Sequence, residues 1–333
     1  MKYISDNSRY ESMEYRKCGE SGLKLPKVSL GMWHNFGKFE DFDNMKKMCF
    51  TAFDNGITHF DLANNYGFPN IGSAEENMGR ILKQNFSHYR NELVISTKAG
   101  YRMWEGPYGD FGSRKYLISS LDDSLKRLKL DYVDIFYHHR PDPDTPLYET
   151  IGALDQAVKS GKALYAGLSN YDGETMEEAV KIFNELKCPF VINQNRYSVL
   201  DRTIENNGLL ESAKKHKKGV IVFSPLAQGV LTDKYLKGIP KDSRISKSGI
   251  YLKESNITAT LLGKVEKLNN IAKERGETLA QMALSWVFCK EQVTSVLIGA
   301  SSPCQILENV KIANGKNFSQ EELRLIDEIS KEG

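Results

Sequence analysis

Short apolar runs alternate along the chain with longer stretches in which apolar residues recur at helical spacing. The short runs are rich in Val, Ile, Phe and Tyr, which are residues that β-strands favour. We therefore predict eight strands, at residues 28–30, 57–60, 93–97, 132–137, 163–167, 190–193, 219–223 and 296–298.

The stretches between the strands predict amphipathic helices. In the first of them, Met45, Met48, Cys49 and Ala52 recur at the spacing that places side chains on one face of a helix. The second begins at Ser73 and is acidic in its first turn, which is typical of a capped helix start. The predicted helices cover residues 43–55, 73–84, 113–128, 145–160, 172–186, 207–217, 278–289 and 303–312.

The regular alternation of strand and helix requires parallel strands joined by right-handed crossovers. Eight such units favour an α/β fold of the closed (β/α)8 TIM-barrel type over an open doubly wound sheet. No GxGxxG follows any of the strands and no GxxxxGK[ST] occurs, which argues against a dinucleotide-binding open sheet and a P-loop nucleotidase. No low-complexity linker divides the chain, so we expect residues 1–333 to form one domain.

Two segments depart from a bare barrel. Residues 15–25 predict a β-hairpin with its turn near Glu20, and this hairpin could plug the N-terminal end of the barrel. Residues 231–260, after the seventh strand, are polar and rich in Lys, Gly and Ser. Long loops on the C-terminal face of a barrel usually serve the active site.

Composition narrows the classes of partner. The 333 residues carry 45 basic and 43 acidic side chains, a net charge of +2, so neither a nucleic acid nor a membrane surface is an expected partner. The N-terminus lacks the apolar run of a signal peptide, and no apolar run is long enough to span a membrane. The cysteines form no CxxC pair, so we expect reduced thiols in a cytoplasmic protein and no metal site. They are Cys18, Cys49, Cys188, Cys289 and Cys304.

We look for candidate catalytic residues where the predicted strands end, because the active sites of such barrels form there. The second strand leads into Asp61, with Tyr66 five residues later, and the third leads into Lys98. The fourth ends at a pair of histidines, His138 and His139. We therefore expect four groups to lie close together on the C-terminal face of the barrel: a carboxylate, a phenol, an ammonium and an imidazole.

These groups have complementary roles in the reduction of a carbonyl. A phenol is a weak acid at neutral pH, and the ammonium of Lys98 would lower the pKa of Tyr66 by stabilising its phenolate. Asp61 would hold Lys98 charged, and a histidine would donate a hydrogen bond to the carbonyl oxygen. The residues alone do not decide between His138 and His139, and we interpret His59 as a core histidine.

At these residues the chain resembles the aldo-keto reductase superfamily. The resemblance rests on GITHFDLANNYG, VISTKAG, YVDIFYHHRPDPDTP, GKALYAGLSN, FSPLAQG and SVLIGASSPCQILEN, which run in family order from about residue 14 to 328. Within the superfamily the chain looks most similar to bacterial L-glyceraldehyde 3-phosphate (methylglyoxal) reductases and to potassium-channel β subunits. The stretch MWEGPYGDFGSRKY resembles the reductases in particular.

The resemblance implies a catalytic tetrad of Asp61, Tyr66, Lys98 and His139. It selects His139 because the family histidine follows its strand at that spacing. Channel β subunits often carry Asn there, so the histidine favours an active reductase over a regulatory module. A metal-dependent barrel hydrolase would need a cluster of His and carboxylate ligands, which these motifs do not assemble.

The resemblance also implies NADPH/NADP+ bound in an extended pose. Phe223 would stack on the nicotinamide, Ser169, Asn170 and Gln194 would hold its carboxamide, and Arg244 would lie near the 2′-phosphate. Family relatives often have Tyr or Trp at the stacking position. The implied cofactor-binding residues are Trp33, Asp61, Ser169, Asn170, Gln194, Phe223, Ser224, Pro225, Leu226, Gly229, Lys234, Arg244, Gly299, Ser301, Gln305, Glu308 and Asn309.

The segment implied for the adenine end of the cofactor can also be interpreted from its residues alone. Pro303 suits the first turn of a helix, with Ser301 and Ser302 before it as candidate caps. A helix N-terminus with hydroxyls can bind an anion, but an ordinary cap explains the same residues.

The expected function is the NADPH-dependent reduction of small aldehydes or 2-oxoaldehydes, including methylglyoxal and glyceraldehyde 3-phosphate. The alternative is an NADPH-binding regulatory module. Arg102 or Arg140 would suit a phosphorylated aldehyde. We expect a homo-oligomer, a tetramer or larger as in the relatives. The candidate substrate residues are Trp33, Tyr66, Trp104 and His139.

Overall fold

The computed structural model of the chain describes residues 3–236 and 253–331. Of the residues that the sequence analysis singled out for the cofactor, Arg244 lies outside the described residues, as does the middle of the predicted loop at 231–260.

A closed barrel of parallel strands forms the centre of the described structure. The strands follow one another around it in chain order, and the last pairs with the first. All eight predicted strands are confirmed, each to within a few residues at its ends. They are β3 Val28–Gly31, β4 His59–Asp61, β5 Val94–Ala99, β6 Val133–His138, β7 Ala163–Ser169, β8 Phe190–Arg196, β9 Gly219–Phe223 and β10 Val293–Ile298.

The predicted hairpin is also present. Strand β1 (Tyr15–Lys17) pairs antiparallel with β2 (Lys24–Pro26). The backbone N–H of Glu20 in its turn donates to the carbonyl of Lys217, which lies just before β9 begins. Cys18 and Leu25 pack with apolar side chains of the barrel interior. The hairpin therefore covers the end of the barrel at which the strands begin.

Helices surround the barrel. The predicted helices are confirmed, the one at 207–217 in a shorter form, Leu209–Lys215. Three further helices, Thr203–Asn206, Ala259–Glu274 and Gln320–Lys331, were not predicted. Within the described ranges the helices are α1 Phe42–Asp54, α2 Ser73–Ile81, α3 Arg114–Leu128, α4 Leu147–Lys159, α5 Gly173–Leu186, α6 Thr203–Asn206, α7 Leu209–Lys215, α8 Ala259–Glu274, α9 Leu279–Trp286, α10 Pro303–Val310 and α11 Gln320–Lys331. None of these helices is long and apolar enough to cross a membrane.

The helix predicted from Ser73 does begin there, but the expected capped start is wrong, because no side chain caps it. The cap position of α2 belongs to Gly72, which has a left-handed backbone (φ 90°) and no side chain to accept a hydrogen bond. Ser73 instead donates its hydroxyl to the carbonyl of Gly67 over 3.1 Å and accepts from the backbone N–H of Lys38. Its hydroxyl thus ties together two loops on the C-terminal face of the barrel.

Helices α2 and α3 approach each other closely at Gly79. A Cβ atom on Gly79 would lie 2.1 Å from the carbonyl oxygen of Arg127 and 2.8 Å from the carbonyl carbon of Leu128. Because these are backbone atoms, they cannot move aside by rotating a side chain. Glycine is therefore required in the middle of α2 despite its low helix propensity.

We predict opposite effects for the same substitution at two helical glycines. Gly79→Ala should destabilise the protein by roughly 1–3 kcal/mol, the usual cost of overpacking. Gly263→Ala in α8 should stabilise it by up to about 1 kcal/mol, because nothing lies within 4 Å of the added methyl group and alanine is the better helix former. Thermal melting of both variants beside the parent chain measures the difference. Equal melting temperatures for the two variants would show that α2 and α3 can move apart at little cost.

Candidate active site

The ends of the barrel strands open into one cleft of about 1910 Å³. An ordinary ligand pocket encloses roughly 300–1,000 Å³, so this cleft has room for an extended ligand. It runs from Trp33, Tyr66 and His139 over the end of β9 to the N-terminus of α10. This position at the C-terminal ends of the strands is where barrel enzymes carry their active sites.

A buried ion pair lies beneath the cleft. Asp61, the last residue of β4, pairs with Ser96 of β5. Lys98 lies two residues further along β5, so its side chain points to the same face as that of Ser96 and reaches Asp61. The Lys98 Nζ lies 2.5 Å from Oδ2 of Asp61 and also donates to the carbonyl of Leu62. Both side chains are inaccessible to solvent. Burial lowers the pKa of Lys98, whereas the Asp61 carboxylate opposes that shift.

Tyr66 joins this pair from the loop that follows β4. The Lys98 Nζ lies 5.1 Å from the centre of the Tyr66 ring. The Tyr66 and His139 rings meet edge to face with centroids 6.0 Å apart. The structure therefore brings Asp61, Tyr66, Lys98 and His139 together, as expected from their places at strand ends.

The structure places His138 and His139 in different surroundings. His138, the last residue of β6, points its Nδ1 at the Tyr171 hydroxyl over 2.7 Å and does not line the cleft. His139 lines the cleft, and the side-chain amide of Asn170 donates to its carbonyl. Burial, reinforced by the nearby Lys98, holds the pKa of His139 well below its usual range. Its imidazole is therefore neutral at pH 7 and can donate one hydrogen bond.

Asp61 has further partners inside the barrel. Its Oδ1 accepts from the Gln194 side-chain amide at 3.0 Å and from the Ser96 hydroxyl at 2.7 Å. His59 lies deeper, fully buried between Ser29 and Ser96. This placement agrees with its interpretation as a core histidine.

Most of the residues implied for the cofactor line the cleft. They are Trp33, Asp61, Asn170, Gln194, Phe223, Ser224, Pro225, Leu226, Gly229, Lys234, Gly299, Ser301, Gln305, Glu308 and Asn309. Ser169 is not part of the lining; it is buried at the end of β7, where its hydroxyl accepts from the Asn170 amide.

The middle of the cleft is suited to a polar, extended ligand. Ser224, Ala227 and Gln228 have positive φ angles of 54°, 45° and 60°, so the backbone after β9 turns tightly beside the cleft. The side-chain oxygens of Asn195 and Gln228 are buried at the lining and have no hydrogen-bond partner among the described residues. Such acceptors need a donor from a bound molecule or water. The lining therefore suits an extended ligand that donates hydrogen bonds.

At the far end of the cleft, Pro303 is the first residue of α10, as predicted. Ser302 has the cap position, but its side chain makes no capping hydrogen bond, so the expected hydroxyl cap is wrong. Gln305 instead reaches back, and its Oε1 accepts from the backbone N–H of Ser301 at 2.8 Å.

The candidate substrate residues divide into two groups. Trp33, Tyr66 and His139 line the cleft, whereas Trp104 does not; it is 43% exposed and packs edge-on against Tyr116. Arg102 pairs with Glu105 and Arg140 with Asp110, and neither arginine lines the cleft. The prediction from sequence missed several residues that line the cleft, of which only Asn65 lies within a quoted motif: His34, Phe39, Asn65, Phe68 and Tyr101.

Metal chemistry has no visible support in the described ranges. Within residues 3–236 and 253–331, no group of three or more His, Cys, Asp or Glu side chains is arranged to hold a metal ion. The polar groups of the cleft instead suit proton transfer and hydrogen bonding to a carbonyl oxygen.

A closed parallel barrel with polar groups gathered at its strand ends is the arrangement that barrel enzymes share. A sequence model of the aldo/keto reductase family matches residues 27–331. The chain therefore belongs to the aldo/keto reductase family and is an oxidoreductase.

Two relatives illustrate the range of the family. An Escherichia coli protein named L-glyceraldehyde 3-phosphate reductase is 52% identical over 336 residues, covering 100% of this chain and 97% of that protein. An Arabidopsis thaliana protein named "probable voltage-gated potassium channel subunit beta" is 38% identical over 304 residues, covering 90% of each chain.

We predict that His138 makes the protein less stable in acid. Burial lowers the pKa of His138 to about 4, whereas the unfolded chain binds this proton near pH 6.5. Between these values the unfolded state holds more protons, so stability falls as the pH drops from about 6.5 to 4, by roughly 3 kcal/mol from this group. Chemical unfolding at pH 7 and pH 4.5 should show a smaller loss for His138→Gln, which keeps a partner for Tyr171. An equal loss in both proteins would contradict the prediction.

Proposed function

We propose that the protein reduces small aldehydes and 2-oxoaldehydes to alcohols with NADPH. One observation carries the proposal: Tyr66 and His139 face a large cleft directly above the buried pair of Asp61 and Lys98. The aldo/keto reductase family generally uses NADP(H). The relative named L-glyceraldehyde 3-phosphate reductase supports glyceraldehyde 3-phosphate as the first substrate to test. Methylglyoxal is the 2-oxoaldehyde that we propose to test beside it.

The residues that would hold NADPH follow the cleft. Phe223 would stack on the nicotinamide, and Asn170 and Gln194 would hold its carboxamide near His139. The turn from Ser224 to Gly229 and the Lys234 ammonium would take the pyrophosphate, and Ser301, Gln305 and Asn309 the adenine end. When bound, the nicotinamide supplies a hydride to the carbonyl carbon of the substrate.

The protein supplies the proton and holds the carbonyl oxygen. Tyr66 donates the proton of its hydroxyl to that oxygen, and the Lys98 ammonium stabilises the phenolate that remains. Asp61 keeps Lys98 in place through the 2.5 Å contact between Oδ2 and Nζ. The neutral imidazole of His139 donates a hydrogen bond to the same oxygen, which favours the negative charge that develops there.

A regulatory module is the second candidate, because of the likeness to a protein named as a potassium-channel β subunit. Such a module would bind NADPH without needing a complete set of proton-transfer groups. The close placement of Tyr66, Lys98 and His139 favours turnover, so we propose the enzyme first. We also propose a cytoplasmic homo-oligomer, which light scattering of the purified protein would test.

We predict that Tyr66→Phe lowers kcat by about 10²–10⁴-fold, the usual contribution of a general acid. Binding of NADPH should be unchanged, because only a hydroxyl is lost. The measurement is NADPH oxidation with methylglyoxal, glyceraldehyde, glyceraldehyde 3-phosphate and an aromatic aldehyde, beside a fluorescence titration of NADPH. Tyr148→Phe, which removes a hydroxyl from an exposed position in α4, is the matched control.

Three outcomes separate the candidates. Turnover that Tyr66→Phe removes and Tyr148→Phe preserves supports the reductase. Turnover that survives in Tyr66→Phe shows that another group donates the proton. Binding of NADPH without turnover on any of these aldehydes favours the regulatory module.

A further inference from the structure

A chain of buried polar side chains runs down the inside of the barrel from Asp61. Each member contacts the next at hydrogen-bond distance, and none is accessible to solvent. We call it the serine–histidine chain. In order, it joins Asp61, Ser96, His59, Ser29, Ser295 and the carbonyl oxygen of Pro26.

The groups at the two ends of the serine–histidine chain, the Asp61 carboxylate and the Pro26 carbonyl, can only accept hydrogen bonds. Ser96 Oγ lies 2.7 Å from Oδ1 of Asp61, and Ser295 Oγ lies 2.6 Å from the carbonyl oxygen of Pro26. Between them, His59 Nε2 is 2.9 Å from Ser96 Oγ, and His59 Nδ1 is 3.0 Å from Ser29 Oγ. The two hydroxyl oxygens of Ser29 and Ser295 are 2.7 Å apart.

The serine–histidine chain has five contacts at hydrogen-bond distance, but its side chains carry fewer than five donor hydrogens. Burial lowers the pKa of His59 to about 4, so the ring is neutral at pH 7 and carries one N–H. The charged groups that act on it, Asp61 and Lys98, oppose each other. Three serine hydroxyls and one ring N–H give four hydrogens among these described residues. One of the five contacts therefore has no hydrogen.

The strength of each contact decides which one is left unmade. The contact of Ser96 with Asp61 is a hydrogen bond to an ionised carboxylate, which is about twice as strong as one between neutral groups. The contacts of Ser29 and Ser295 join neutral oxygens. The contact of Ser96 with Asp61 should therefore be made, and the unmade contact lies either between Ser96 and His59 or beyond His59. In the first case the Nε2 lone pair would face Ser96 Oγ at 2.9 Å, beside the hydroxyl that serves Asp61, so we assign the unmade contact to the side beyond His59. Because Ser96 has no hydrogen left for His59, the histidine is then the donor in the contact between them.

We propose that His59 is a positioning residue for Asp61, acting as the tautomer protonated on Nε2. Its N–H donates to Ser96 Oγ, which fixes the Ser96 hydroxyl as a donor to Oδ1 of Asp61. The carboxylate is thereby held with its other oxygen on the Lys98 ammonium. In the tautomer protonated on Nδ1, the Nε2 lone pair would compete with Asp61 for the single hydrogen of Ser96.

The tautomer is measured directly by nuclear magnetic resonance of the full chain labelled with ¹⁵N. Long-range proton–nitrogen spectra at pH 7 distinguish protonated from unprotonated ring nitrogens, and the spectrum of His59→Gln identifies the signals of His59. The expected result is a proton on Nε2 and none on Nδ1. A proton on Nδ1, or on both nitrogens, overturns the proposal. This readout needs no substrate, so it stands apart from the proposed function.

The consequence for turnover rests on the proposed reductase activity and is tested by three variants. His59→Leu removes the donor to Ser96, so kcat should fall by about tenfold or more, the equivalent of one charge-assisted hydrogen bond, with NADPH affinity unchanged. His59→Gln keeps an N–H donor and an acceptor, so its kcat should stay within about threefold of the parent value. Ser295→Ala changes only the part of the serine–histidine chain on the far side of His59 from Asp61, and should leave kcat unchanged.

The variants also separate positioning from a structural role. If His59→Leu keeps the parent kcat, or if His59→Gln falls as far as His59→Leu, the positioning role is wrong. Melting temperatures of all three variants identify any loss that comes from unfolding. Absence of turnover in the parent chain would instead contradict the proposed function and leave the tautomer measurement to decide this proposal.

Discussion

The burial of Lys98 beside Asp61 is the constraint on which the rest of the site depends. Removing two charges from water costs several kcal/mol for each ion, and their attraction offsets this only where other polar groups complete the hydrogen bonds. The barrel supplies those groups from neighbouring strands: Ser96 and Gln194 donate to Asp61, and the carbonyl of Leu62 accepts from Lys98. The architecture that places strand ends side by side is thus what makes the buried pair tolerable.

The same burial shapes the groups above the pair. His139 is neutral because it is buried close to the Lys98 ammonium, so it can act as a hydrogen-bond donor without adding a second positive charge. Tyr66 lies over the same ammonium. Placing one cation under a phenol and an uncharged imidazole suits a reaction in which negative charge develops on a carbonyl oxygen.

The strands and the four converging residues could be predicted from sequence because both follow from short-range patterns. Apolar runs identify the strands, and polar residues directly after them must reach the same face of a barrel. Features that depend on neighbours could not be predicted. The acidic turn after Ser73 is typical of a capped helix, yet the Ser73 hydroxyl accepts from the backbone N–H of the distant Lys38. Trp104 lies on a loop of the correct face but does not line the cleft. Helix α11 is different, because its apolar residues recur at helical spacing and Ile326 and Ile329 are buried, so a local pattern does indicate it.

The choice between His138 and His139 shows where sequence reasoning needs geometry. Alternation along a strand says that adjacent side chains point to opposite faces, but it does not say which face is which at the last residue. Tyr171 decides this in the structure by pairing with His138 at 2.7 Å outside the cleft. A partner 33 residues away is not visible in a local pattern, whereas the family resemblance already pointed to His139 because it compares whole motifs. Local patterns therefore locate the active face, and long-range contacts decide which side chains occupy it.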